Sequence, residues 1–326
     1  MRYVLRRLSL YLVAAWASLT LSFFLPRLMP GDPTTTLLAR FHGRLQPEAL
    51  LALRDALGLH PGTLGSQYVF YLRHLVAGDL GRSIAYYPIP VTEVISTGLL
   101  WTVILTGIAV VVSFGAGTLL GAVAAWRRGG IIDTAAPPVL ALLGAVPYFW
   151  LAMLILFVFG RALHWFPLGH AYSAELEPSF SFVFLADVAR HAVLPALTLV
   201  LATVGGWMLG MRNTMIGVLD ADYLKLAWAK GLPPWQILLR YAARNALLPN
   251  VTGFGMALGF VLSGSLLTEI VFSYPGLGFL LVQAVRNQDY PLMQGLFLLI
   301  TLAVLAANFL VDLLYVWLDP RTRSNA

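Results

Sequence analysis

The sequence has 326 residues, of which 59% are hydrophobic and only 11% charged, with a mean hydropathy of +0.79. A water-soluble domain carries about a quarter charged residues, so this composition excludes a soluble globule and indicates a chain that lives largely in lipid. The formal charge of +6 is read as a topology signal rather than a nucleic-acid footprint, and the sequence contains no cysteine to form disulfides or thiolate metal sites.

Six stretches lack Asp, Glu, Lys and Arg altogether: 8–26, 99–126, 134–160, 192–211, 251–268 and 291–311. A hydrocarbon core of ~30 Å takes roughly 20 helical residues to cross. The stretches therefore predict spans at about 8–28, 99–126, 134–160, 191–211, 248–272 and 291–316 of one all-α membrane domain, 1–326. Strands would be about half as long and would alternate in polarity. Arg2, Arg6 and Arg7 ahead of an apolar run resemble a signal peptide. That run is longer than a signal core and no small-x-small site follows, so it is read as a retained first span.

After the first span, residues 29–98 form a long segment expected outside the membrane, with short amphipathic helices at 48–57 and 67–76. These would cap the outer mouth, contact a partner or simply shield the spans. Basic residues set the orientation. Arg2, Arg6 and Arg7, then Arg127 and Arg128, then Arg212, Lys225, Lys230, Arg240 and Arg244, then Arg321 and Arg323 fall on one side, which places both termini in the cytoplasm. The two short outer loops hold only Arg161, Arg190 and Arg286.

Within the spans, Pro137, Pro138, Pro147 and Pro195 are expected to kink helices. The pairs Gly117/Gly121, Gly206/Gly210 and Gly255/Gly259 have the spacing of close helix contacts. Glu269, an acid toward the outer end of the fifth span, is a candidate for the path or an outer gate together with Pro147.

Several chemistries have no residues behind them. No Gly-Lys dipeptide occurs, so a phosphate-binding P-loop is excluded. The string Leu262-Ser263-Gly264-Ser265 lies in an apolar span and is read as helix packing. There is no H-E-x-x-H and no Gly-x-Ser-x-Gly elbow, and His42, His60, His74, His164, His170 and His191 lack a clustering pattern for metal. Apart from Glu269 and Asp312, no acid approaches mid-membrane depth, so ion-coupled transport lacks its usual groups. The energy for any transport must then come from another protein.

The most polar cytoplasmic stretch is 211–250, with the loop proper at 212–247. Helices are expected at 221–230 and 234–247, separated by Gly231 and Pro233-Pro234. Ala227 and Gly231 are four residues apart and form a small-residue face. Local physics leaves open whether this knob docks into a partner or is a plain amphipathic surface loop.

This segment resembles the coupling loop of ATP-binding-cassette importer permeases, most closely the dipeptide/oligopeptide/nickel branch. The resemblance rests on Pro30-Gly31-Asp32-Pro33, Gly78-Asp79-Leu80-Gly81-Arg82-Ser83 and Met211-Arg212-Asn213. It continues through Ala227-x-Ala229-Lys230-Gly231, Arg244-Asn245-Ala246-Leu247-Leu248-Pro249, the stretch 268–278, and Asp312-Leu313-Leu314-Tyr315 with Asp319-Pro320-Arg321. The wider family often has Glu six residues before the loop glycine, where this chain has Lys225; that departure and the long interval from Gly231 to Pro249 suit the peptide branch.

The resemblance implies a type I importer fold and a transport subunit rather than an enzyme. It implies a second homologous permease, two ATPase subunits that hold ATP and Mg, and an external substrate-binding protein, with no cofactor on this chain. It also implies that Tyr223, Ala227, Ala229, Lys230, Gly231 and Leu232 dock on the ATPase. The implied cargo is di- or oligopeptide; oligosaccharide or nickel on the same machinery is the alternative, and a non-transporting scaffold a more distant one.

Overall fold

The computed structural model describes residues 2–30, 62–261 and 266–318. The expected helix at 48–57, His42 and His60, the Leu262–Ser265 string and the Asp319-Pro320-Arg321 motif lie outside the described residues. In chain order the helices are α1 (Arg2–Leu28), α2 (Leu64–Val76), α3 (Val91–Trp126), α4 (Ile131–Ala145) and α5 (Tyr148–Ile155), which continues as a π-helix over Leu156–Ala162. Then come α6 (Phe182–Leu219), α7 (Asp222–Ala229), and α8 (Arg244–Phe260), which is entered through the turn Pro234–Gln236 and a π-helix over Ile237–Ala243. The chain closes with α9 (Leu266–Val271), α10 (Leu277–Arg286) and α11 (Tyr290–Leu318). Among the described residues the only extended pairing is an isolated bridge between Arg82 and Pro90.

Four of these helices, α1, α3, α6 and α11, are long and apolar enough to cross a membrane, and a fifth span results if α4 and the α5 segment count as one. The expected single span at 134–160 is instead broken: Ile131–Ala145 and Tyr148–Ala162 meet at an angle of 99°. Val146 precedes a proline and takes an extended conformation (φ −72°, ψ 129°), and Pro147 (ψ 125°) offers no N–H to continue the ladder. Pro137, Pro138 and Pro195, by contrast, sit inside helices that run through them. The expected span at 248–272 is represented by α8 and α9 on either side of residues outside the description.

α3 and α6 start earlier than the sequence suggested, at Val91 and Phe182. At ~1.5 Å per residue they exceed the ~30 Å core, so their polar first turns need not lie in lipid. Ser181 caps α6 by accepting the Phe184 N–H at 3.3 Å. The acid in this early stretch is satisfied locally: Asp187 accepts the Ser173 N–H (2.7 Å) and hydroxyl (2.9 Å), and lies 3.4 Å from His191.

The chain forms two compact units. The first comprises the described residues of 1–102, 262–266 and 275–326. Here α1 runs along α11, with Tyr11 edge-on to Phe309 at 5.7 Å. α2 lies on α1 through Phe23, which meets the Tyr68 and Tyr71 rings at 5.1 and 5.6 Å, and through a 2.7 Å hydrogen bond between Thr20 and Tyr68. Its core joins Val91, Ile95, Leu277, Leu280, Leu292 and Leu296. Residues 78–90 fold back through Val91 N–H to Gly81 O (3.0 Å) and Ser83 N–H to Ile89 O (3.1 Å). That turn is held on the buried Asp289 carboxylate, which accepts the Ser83 hydroxyl and the Ala85 N–H (2.8 Å) and also caps α11 through the Leu292 N–H (3.1 Å).

The second unit comprises 103–261 and 267–274. α6 is its spine, packed by α4, α5 and α8. Gly117 and Gly121 of α3 let the α6 backbone come close: a Cβ at Gly121 would lie 2.4 Å from Met208 O and 3.0 Å from Arg212 N. In the other two pairs a Cβ at Gly206 or Gly255 would meet nothing within 4 Å, whereas one at Gly210 would lie 2.9 Å from Asn250 Oδ1. On α8, buried Asn250 donates to Thr118 Oγ1 (3.2 Å) and Trp207 O (3.1 Å), and Phe254 stacks on Phe114 at 4.3 Å.

Candidate functional site

The knob expected between the fourth and fifth spans forms in the second unit. α6 continues to Leu219, so the turn out of it begins at Asp220, later than the sequence suggested. α7 then occupies Asp222–Ala229, with Asp222 in its first turn, where a carboxylate suits the helix dipole. Lys225 donates to Asp222 Oδ1 at 2.7 Å on an exposed surface, an arrangement that contributes little stability.

The end of α7 is sharply defined. Gly231 N–H donates to Trp228 O (2.9 Å) and Leu232 N–H to Ala227 O (3.3 Å), the paired bonds of a Schellman motif. The motif requires a left-handed residue, and Gly231 supplies it at φ +71°. Space is not the constraint, because a Cβ there would meet nothing within 4 Å. Pro233 (φ −65°, ψ 144°) then turns the chain and Pro234 opens the next helical turn.

A helix of eight residues does not persist by propensity. α7 is held by its underside: Leu224 and Ala227 are buried with Ala125, Met211, Met215, Ile237, Ala242 and Ala246. Burying one leucine contributes about 1.5–3 kcal/mol. Trp228 stacks on Trp126 at 6.1 Å with 14° between planes, and Asn245 Nδ2 donates to Tyr223 Oη at 3.0 Å. An ion pair supports the base: Arg212 Nε lies 2.6 Å from Asp133 Oδ1, whose other oxygen accepts the Gly129 N–H at 2.9 Å.

The predicted docking residues therefore divide by environment. Tyr223, Ala229, Lys230 and Gly231 are exposed and Leu232 is half-buried, whereas Ala227 faces inward at 3% exposure. Sequence spacing put Ala227 and Gly231 on one small-residue face; the structure instead puts Ala227 under the knob, where its small size lets α7 sit close on α6 and the π-helix. The outer face includes two apolar side chains that the sequence reading passed over, Leu226 (57% exposed) and Trp235 (58% exposed). For Leu226 the signal was its offset from the buried Leu224 and Ala227 on the same helix; Trp235 lies past the Gly231–Pro233 turn and had no such signal. The second expected helix, 234–247, does not end in the loop: it passes through the π-turns 237–243 and continues as α8.

Glu269 and Pro147 belong to other parts of the unit. Glu269 is fully buried on α9, and its carbonyl accepts the Tyr274 N–H at 2.8 Å. Burial, and secondarily the Glu269 carboxylate, push the Tyr274 phenol above its ordinary range. The neighbouring Phe272 carbonyl accepts the His170 N–H at 2.9 Å, and the adjacent Gly169 has no room for a side chain, since a Cβ would lie 2.7 Å from Phe272 O. Pro147 forms the α4–α5 corner. Among the described residues, no group of three or more His, Cys, Asp or Glu is placed to hold a metal ion.

Comparison with known proteins places this architecture. Residues 117–324 match the family described as binding-protein-dependent transport system inner membrane component. A Brucella suis biovar 1 chain named as a peptide permease protein is 36% identical over 324 residues, 99% of each chain. The di/tripeptide transport system permease protein DppB of Pseudomonas aeruginosa is 32% identical over 334 residues, 98% of each. The dipeptide transport system permease protein DppB of Escherichia coli K12 is 33% identical over 342 residues, 99% of each. With its several long apolar helices this is a multi-pass membrane protein and a transport subunit, and it belongs to the family of binding-protein-dependent transport system inner membrane components.

Proposed function

We propose that the chain forms half of the path of an ATP-binding-cassette importer for di- or oligopeptides and couples that path to separate ATPase subunits. In this reading six spans cross the inner membrane with both termini in the cytoplasm, and a second homologous permease completes the path. Two ATPase subunits bind ATP and Mg, and an external binding protein delivers substrate. The peptide-transport names of full-length relatives support the cargo.

The observation that carries the coupling role is the two-sided construction of α7. Its underside is buried and its end is fixed by Gly231, while Tyr223, Leu226, Ala229, Lys230 and Trp235 are left facing outward. A rigid knob of this kind can transmit a push from an ATPase cleft into α6 and α8, to which it is packed. ATP-driven closure must bind one orientation of the knob better than the other, since only differential contact shifts an equilibrium. Ala227 then acts by seating the helix, and Gly231 by ending it. Glu269 and Pro147 are assigned to the path or its outer gate, supported by an acid fully buried on the short α9 and by the corner at α5.

The cysteine-free sequence makes the test direct. Ala229→Cys introduces one thiol on the outer face, and a short bifunctional reagent should link it to an ATPase subunit in the assembled complex. Failure to link, while a thiol at Arg161 also fails as expected of the opposite side, would remove the docking assignment.

A further inference from the structure

We propose that a groove in the second unit is a binding site for an anionic phospholipid. The groove, about 850 Å³, is lined by α3 (Phe114, Gly115, Thr118, Leu119), by Met211 of α6, and by the entry to α8 with Leu239, Arg240, Arg244 and Leu247. Its wall is apolar except for Thr118 and the two arginines. Arg240 and Arg244 are one helical turn apart across the junction of the π-helix with α8, so both line the same groove. Both are exposed, and among the described residues neither has a hydrogen-bond or ion-pair partner.

An apolar trough that also presents two guanidinium groups is complementary to a molecule with a hydrocarbon tail and an anionic head. The depth fits as well. α3 ends at Trp126, followed by Arg127 and Arg128. Thr118 lies eight residues before that end, or ~12 Å along the helix, so the groove runs from headgroup level into the acyl region. Arginine is suited to this role because its planar fork pairs with phosphate oxygens and is weakly hydrated. Basic pockets between spanning helices recognise anionic headgroups by the same physics.

The groove also touches the coupling machinery. Met211 lines it and is packed in the cluster under α7, and Arg240 and Arg244 flank Ala242, another member of that cluster. A lipid seated here would brace the α8 entry against α3. The inference rests on the multi-pass membrane reading and not on cargo or ATPase docking, so its failure leaves those assignments standing.

The test is native mass spectrometry of the full chain in neutral detergent, titrated with phosphatidylglycerol or with phosphatidylcholine of the same acyl chains. Phosphatidylglycerol should be retained preferentially. Arg240→Gln with Arg244→Gln should weaken its retention by about fivefold per arginine, while the double lysine variant keeps most of it. Gly115→Phe fills the trough without touching the arginines, because a Cβ there meets nothing within 4 Å. It should weaken phosphatidylglycerol but leave inorganic phosphate unaffected. Equal retention of the two lipids, no loss in the double glutamine variant, or full retention in Gly115→Phe would each overturn the proposal. So would displacement of the lipid by trialanine or by self-association of the chain, which would reassign the groove to substrate or to a second copy.

Discussion

Ser83 and Asp289 are joined across 206 positions of sequence: the Ser83 hydroxyl donates to the Asp289 carboxylate, and both side chains are fully buried. The same carboxylate takes the Ala85 N–H and caps α11 at Leu292. One buried acid therefore fixes both the fold of 78–90 and the start of the last long helix. Asp289→Ala leaves those donors without an acceptor in a buried site, and should cost about 2–4 kcal/mol. Ser83→Ala leaves the carboxylate served by two N–H groups but also takes away the acceptor of the Tyr86 N–H (3.0 Å), and should cost about 1–2 kcal/mol. Thermal unfolding of the purified chain in detergent checks the order.

The close approach of α3 and α6 rests on Gly121, where a Cβ would fall 2.4 Å from a backbone oxygen and 2.9 Å from the Met211 Cβ. Backbone cannot yield as a flexible side-chain tip can, so Gly121→Leu should destabilise by about 1–3 kcal/mol or more. Gly255→Ala, with nothing within 4 Å, should be neutral or gain up to about 1 kcal/mol from helix propensity. Melting temperatures of the two variants should move in opposite directions or differ by several degrees.

Asn250 links α8 to both α3 and α6 through Thr118 and the Trp207 carbonyl. Asn250→Ala removes the donor and opens a void, with an expected loss of about 1–3 kcal/mol. Asn250→Leu fills the space and should recover part of that loss. Unfolding in detergent distinguishes the hydrogen-bonding contribution from the volume contribution.

At Gly231 the cost of substitution is conformational, because the position is at φ +71° with open space around it. Gly231→Ala should cost about 1–2 kcal/mol locally, and Gly231→Asn less, since Asn tolerates the left-handed region. Hydrogen exchange of the amides of α7 should rise in the order wild type, Asn, Ala.

Much of this was legible in the sequence. The short helix α7 and its glycine stop were placed to within a residue because the signals that end it, Gly231 and Pro233-Pro234, are local. The long apolar helices α1 and α11 followed from composition alone. What could not be read depended on distant partners. Asp289 was an unremarked loop acid until the fold brought Ser83 to it, and Asp133 became the partner of Arg212 in the same way. Ala227 was assigned outward because small-residue spacing does not say which side of a helix meets the protein. The corner at Pro147 and the uninterrupted passage through Pro137 and Pro138 reflect tertiary packing that decides which proline breaks a helix.

The central claim is that the outward face of α7 carries the force of ATP hydrolysis into the membrane. Leu226→Glu alters only that face, since Leu226 is 57% exposed and absent from the buried cluster beneath α7. In the assembled complex reconstituted in vesicles with its binding protein, peptide uptake and ATP hydrolysis are measured together. The account predicts normal insertion and thermal stability, with uptake reduced at least tenfold and hydrolysis no longer stimulated by loaded binding protein. Uptake and stimulated hydrolysis equal to wild type would contradict it.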